Sequence, residues 1–265
     1  MSEPPPRTDP AERTAMPDET PLVLALLRRA DDALILGHRL SEWCGHAPTL
    51  EEDLALANIA LDQIGLARML YAEAGEQTGR TEDQLAYLRS DRDYRNCLLV
   101  EQPNGDFAVT IVRQLFFSAF ADPFWRAACG STYPALAAVA AKAEKEAAYH
   151  LRHASEWLIR LGDGTEESYG RAEAALALLW PFTGELFEAD EVETGLIEAD
   201  ILPAMAPLRT TWQTTVQAVL ARATLRAPTD SWMQTGGRRG VHGEHLGHLL
   251  AEMQHLQRAH PGATW

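Results

Sequence analysis

Apolar residues recur every three or four positions along most of the chain, the spacing that lines one face of a helix. The pattern predicts one helix after another. Thr20-Pro21 opens the first, which runs to about Ala47 and stops before Pro48. Thr49 and Glu52 form a capping box for a second, reaching about Gly75. Thr81 and Gln84 repeat that signal for a short helix near 82–90. After the turn "EQPNGD" (101–106) a helix starts at about Phe107, and Pro123 kinks or splits it. The next runs from about Pro134 to Leu161 and ends in "GDG". Thr165 starts another, which Pro181 interrupts, and two more follow near 203–222 and 242–259. No alternation of period two persists anywhere. The apolar "IVRQLFF" is assigned to helix by its flanks.

Several of these helices approach 26–30 residues, or roughly 40 Å at about 1.5 Å per residue. Long helices with short connections make an antiparallel bundle. Near-continuous apolar runs such as "PLVLALL" and "VAAKAEKEAAYHL" imply burial on more than one side. No helical repeat of fixed period is present, which argues against a solenoid. Residues 1–19 are polar and Pro-rich and read as a disordered extension, leaving 20–265 as a single domain. The Gly-, Pro- and Arg-containing segment 223–241 is long for a compact domain, as expected of a loop that wraps a partner.

Composition narrows the partners. The 265 residues carry a formal charge of -15, which argues against nucleic acid or an anionic membrane as the main partner. No apolar run reaches the roughly 18 residues of a membrane span, and the N-terminus lacks the apolar core of a secretory signal. Cys44, Cys97 and Cys129 are odd in number and far apart, as in a reduced cytoplasmic protein with buried thiols.

One stretch raises the question of a metal. In "AEKEAAYHLRHASEW", Glu146, His150 and His153 share a helix face. A di-iron bundle needs a Glu from each of two helices and an ExxH from each of two others. The chain holds a single ExxH, Glu252 to His255, and it lies in the last helix. The second helix offers Asp62 with Gly65 three residues on, and the first offers Glu42 flanked by His38 and His46. The third carries the stripe Asp106, Thr110, Arg113, Phe117, Phe120. An Arg there would repel a metal ion, and it is expected to pair with Glu42, Asp62 or Glu146. Glu42, Asp62, Arg113, Glu146 and His150 are therefore read as a degenerate polar seam at the bundle centre, with no catalytic, cofactor-binding or metal residue assigned. The alternative is an active dimetal-carboxylate oxygenase using Glu42, Asp62, Glu146 and His150. The histidines of "VHGEHLGHLLAEMQHLQRAH" fit the polar face of an amphipathic helix better than a surface zinc site. No GxSxG, Walker A or GxGxxG sequence occurs.

The blocks "LGHRLSEWCGHAP" (36–48), "VEQPNGDFAVT" (100–110), "SEWLIRLGDGTEES" (155–168) and "LWPFTGELF" (179–187) resemble the C-subunit family of the ring 1,2-phenylacetyl-CoA epoxidases. So does the ending "GVHGEHLGHLLAEMQHLQRAHPGATW". The likeness runs from about Leu22 to Trp265. It implies an all-α, ferritin-like long antiparallel helix bundle with additional C-terminal helices. It also implies a structural, non-catalytic role in aerobic phenylacetate degradation. The partner so stabilised is a related ferritin-like catalytic subunit that carries the di-iron centre. No cofactor is then expected in this chain, and a reductase subunit completes the wider complex. Self-association is a further option. A third reading is a free-standing helical binding protein with an empty bundle pocket. Trp43, Trp125, Trp180, Trp232 and Trp265 lie at helix ends or in loops and are expected to face the partner, with Trp232, Arg238 and Arg239 of the long loop as its contact.

Overall fold

A computed structural model of the chain describes residues 19–229 and 232–263. Helices make up 74% of the described residues, and no strand occurs among them, so the all-α expectation holds. Four long helices form the frame: α1 (Pro21–Ser41), α2 (Leu50–Thr78), α5 (Phe107–Ala128) and α6 (Pro134–Gly162). They pair as two antiparallel hairpins, α1 on α2 and α5 on α6, joined through α2 and α6. Between the hairpins lie the short α3 (Glu82–Tyr87) and α4 (Leu98–Glu101). After them come α7 (Glu166–Leu179), α8 (Glu191–Glu198), α9 (Met205–Arg222), α10 (Glu244–Met253) and α11 (His255–Ala259). α7 and α9 pack on α5, and α8 packs on α1.

Local chemistry sets the boundaries. Thr20 caps α1 by accepting from the Val23 amide, and Pro21 sits where its missing N–H costs nothing. α1 ends at Ser41 rather than near Ala47. Residues 42–47 instead turn around Gly45, whose φ of 79° favours glycine and whose amide donates to the Asp53 carboxylate. Thr49 caps α2, and Thr81 with Gln84 makes the expected capping box. Pro123 lies inside α5 without splitting it. α4 and α8 were not anticipated, being too short to show a period. The last predicted helix divides at Gln254 into α10 and α11.

The core explains the composition of α1. Its apolar residues are buried on every side, and so are Arg28, Arg29, Asp31, Asp32 and Arg39. α6 faces inward with Leu136, Ala140, Ala143, Ala147, His150, Ala154 and Leu158. The alanines let α5 approach, and the space between is filled by Phe116, Phe117, Phe120 and Phe124. No described helix is long and apolar enough to cross a membrane. The N-terminal extension expected for residues 1–19 lies, but for Glu19, outside the described residues, as does Trp265.

Two expectations from the sequence need correction. Trp125 is buried, Trp43 donates to Thr110 Oγ1, and Trp180 stacks with Phe116 and Trp212, so these three pack within the chain. Cys44 is exposed, Cys129 is half-buried, and only Cys97 is fully enclosed.

Candidate functional site

The five seam residues fall into two separate groups rather than one bundle-centre site. At one end of the bundle, Glu42 follows the last turn of α1, its side chain 43% exposed. It accepts from Arg39 Nη1 and from Asn104 Nδ2, both at 2.9 Å. Arg113 is fully buried nearby, but no carboxylate reaches it. Its guanidinium donates to the Gln102 carbonyl and to Asn104 Oδ1, each at 2.5 Å. Asn104 thus stands between Arg113 and Glu42, which corrects the expected ion pair. Burial pushes the Arg113 guanidinium down to about 9; Arg39's like charge adds to this and Glu42 opposes it. The neutral partners are why the charge is so costly here.

Arg113→Ala is therefore expected to destabilise by about 2–5 kcal/mol, since it leaves a cavity and two acceptors without a donor. Arg113→Met keeps most of the volume, removes the buried charge and should be clearly milder. Thermal melts of both variants check this. Equal losses would mean that the hydrogen bonds to Gln102 and Asn104 dominate over packing.

The second group lies in the groove between α2 and α6. His150 Nε2 faces Asp62 Oδ2 at 3.0 Å, and its Nδ1 faces the Gln63 amide nitrogen at 3.3 Å. Facing a carboxylate, which accepts, Nε2 is the donor to Asp62. Glu146 lies beside Lys142 at 3.6 Å. Burial raises its carboxyl above the ordinary range, and the like charge of Asp62 adds to that. One turn on, His153 Nε2 meets Glu52 Oε2 at 2.8 Å. Asp62 is 36% exposed, so this is a groove cluster and not a core one.

Glu146 gives a pH test. Its folded-state pKa is raised, so the ionised form is disfavoured in the fold, and stability is gained as pH falls through the folded value toward the unfolded one. Glu146→Gln should therefore raise the melting temperature slightly at neutral pH. The advantage should shrink as pH falls toward about 4.5. A difference that is flat with pH would remove the desolvation account.

A dimetal centre does not fit these residues. Among the described residues no three His, Cys, Asp or Glu side chains converge on one point. Both His150 ring nitrogens are already engaged. The inward faces of α5 and α6 present phenylalanine and alanine where carboxylates would be needed, and α5 adds the Arg113 cation.

A third network, missed in the sequence, ties distant segments to α1. Asp31 accepts from the Tyr71 hydroxyl at 2.5 Å, the Arg95 amide at 2.7 Å and both terminal nitrogens of Arg89. Asp32 accepts from Arg238 at 2.8 and 2.9 Å and from the Cys97 amide at 2.7 Å. Glu185 accepts from the Leu98, Gly236 and Arg238 amides. Glu101 accepts from the Gly243 amide and Asn96 Nδ2, and lies 2.7 Å from His242 Nδ1. Gly237 rests on the 96–98 backbone, where an added Cβ would come within 2.2 Å of the Asn96 carbonyl. Part of the loop expected to wrap a partner inserts into the chain's own core. Arg238 is buried, while Trp232 and Arg239 remain outward. The visible signal was "LLRRADDALIL", four charges inside an unbroken apolar run.

Two hairpins of long helices, a core closed by aromatic side chains and a groove of polar groups between α2 and α6 define an all-α helical bundle. The chain belongs to the phenylacetic acid catabolic protein family, whose model matches residues 1–265. It is similar to the C subunit of 1,2-phenylacetyl-CoA epoxidase from Escherichia coli (strain K12), at 50% identity over 240 residues. That likeness covers 90% of this chain and 97% of the relative. The family expected from the sequence blocks is thus the one found.

Proposed function

We propose that this chain is the structural, non-catalytic subunit of a multicomponent ring 1,2-phenylacetyl-CoA epoxidase acting in the cytoplasm. One observation carries the reading: among the buried residues of α5 and α6 the single potential ligand is His150, and both its ring nitrogens are occupied. The likeness to an epoxidase C subunit supplies the reaction in which such a chain takes part. Its work is then to stabilise a catalytic partner of related fold, which holds the di-iron centre. A reductase subunit delivers electrons to that partner. The buried ion pairs around α1 suit this role, since they hold a rigid frame without lending a side chain to chemistry.

The test is co-expression with the catalytic partner, followed by iron analysis and epoxidase assay of the complex and of each part. Iron should follow the catalytic partner, which should lose solubility or activity when this chain is omitted. Roughly two irons per chain in the isolated protein, lost on substituting Glu42 or His150, would establish the dimetal oxygenase instead.

A further inference from the structure

The chain holds one Asn-Gly dipeptide, Asn104-Gly105, in the turn before α5. In this pairing a side-chain amide is most open to attack by the next backbone nitrogen, because glycine puts no Cβ in the way. The local structure calls for both residues. Gly105 has a φ of 56°, and an added Cβ would lie 3.0 Å from Val109 Cγ2. Asn104 both donates and accepts. Its Nδ2 gives hydrogen bonds to the Arg39 carbonyl at 2.6 Å and to Glu42 Oε2 at 2.9 Å. Its Oδ1 takes one from Arg113 Nη2 at 2.5 Å, with Thr110 Oγ1 at 3.5 Å on the same oxygen. Gly105 is exposed, and among the described residues its amide meets no acceptor. The buried Arg113 beside it bonds only to neutral oxygens.

We propose that Asn104 is a self-modifying site, where the backbone nitrogen of Gly105 attacks the side-chain amide and converts it to a carboxylate, with Arg113 and Glu42 as the catalytic groups. The Gly105 nitrogen gives up its proton and bonds to Asn104 Cγ, closing a five-membered ring. The electron pair of the Cγ–Oδ1 double bond moves onto Oδ1. The Arg113 guanidinium already donates there, as the donors of an oxyanion hole do. The pair then returns, the Cγ–Nδ2 bond breaks, and Nδ2 leaves as ammonia. The proton lost by Gly105 is the one that Nδ2 needs. The partly exposed Glu42 carboxylate, 2.9 Å from Nδ2, is placed to pass it on. One water then opens the cyclic imide. Attack at Cγ, whose oxygen faces Arg113, restores the normal backbone and leaves aspartate. Attack at the Asn104 backbone carbonyl carbon would leave isoaspartate. Arg113 thus directs the product as well as the rate. The new carboxylate lies against Arg113 as the counter-ion that this buried cation lacks. It no longer donates to Glu42 or to the Arg39 carbonyl, so the end of α1 loses two of its ties to the turn before α5. This site does not depend on the proposed function.

The test holds the full, folded chain at neutral pH and physiological temperature. Residue 104 is followed by peptide mass spectrometry, and isoaspartate is counted by enzymatic methylation. The synthetic peptide VEQPNGDFAVT (100–110) is the unstructured reference. The folded chain should lose its Asn104 amide at least as fast as the peptide. Its product should be chiefly aspartate, where the peptide gives mainly isoaspartate. Arg113→Met should slow the loss several-fold and shift the product toward isoaspartate. Glu42→Gln, at a partly exposed position, should slow the loss several-fold with the product unchanged. Thermal melts establish that each variant is folded during the incubation. If Arg113→Met is not, Glu42→Gln and the wild-type product ratio decide alone. An Asn104 amide that outlasts the peptide's in the folded wild type overturns the proposal, because the fold then protects the dipeptide. So does a wild-type product ratio equal to the peptide's, or a folded variant of either residue that reacts at the wild-type rate.

Discussion

Arg238→Ala is expected to lower the melting temperature by roughly 10 °C or more, while Arg239→Ala, one residue on, should leave it nearly unchanged. The Arg238 and Asp32 side chains are 5% and 2% exposed and share two hydrogen bonds. Removing one member of such a pair leaves the other charge buried without compensation, at about 3–5 kcal/mol. For a chain of this size each kcal/mol moves the midpoint by about 2–4 °C. Arg238 also donates to the Arg28 and Arg95 carbonyls, so its loss frees α1 from two segments at once. Arg239 is 58% exposed and lies 3.7 Å from Glu188, a surface pair contributing about 0–1 kcal/mol. Differential scanning calorimetry of the two variants decides the matter. Similar losses in both would mean that the loop, not the ion pair, carries the stability.

Asp31→Ala should be at least as damaging. Asp31 is fully buried and accepts from Tyr71, Arg89 and the Arg95 amide. Arg89 is itself 6% exposed, and its guanidinium lies over the Tyr94 ring at 4.3 Å. Burial alone would lower the Arg89 pKa, but Asp31 outweighs it and holds the guanidinium above its usual range. Without Asp31 that cation keeps only carbonyl, hydroxyl and ring partners. A loss of about 3–5 kcal/mol follows. Tyr71→Phe removes one neutral donor from the same carboxylate and should cost nearer about 1 kcal/mol. The shift in urea unfolding midpoint should therefore be several-fold larger for Asp31→Ala. If Tyr71→Phe matched Asp31→Ala, the hydroxyl rather than the charge pairing would be the organising contact.

The long helices were readable because each carries its own period, and Thr49, Thr81 and Thr165 cap helices where their patterns begin. α4 and α8 are four and eight residues long, too short for a period to emerge. The candidate site was half readable. Helical spacing put Glu146 and His150 on one face of α6, but the bundle-centre seam expected to join them to Asp62 is a partly exposed groove between α2 and α6. Spacing could not decide where Arg113 ends up, because its partners come from the turn that precedes α5. Asn104 lies in "EQPNGD", where sequence signals a turn but not which side chain points inward. The Asp32–Arg238 pair spans almost the whole chain and leaves no local trace beyond charges placed in apolar surroundings.

That span has a consequence in time. Asp32 and Arg238 are 206 residues apart, so the ribosome completes the first long before the second exists. At about 5–20 residues per second the interval is roughly 10–40 s. Throughout it the opening helix is present without its final counter-ion and cannot settle among apolar neighbours. Pairings between such distant segments also form slowly once both are available. A chain that ends before residue 238 therefore leaves the Asp32 carboxylate with the Cys97 amide and no counter-ion.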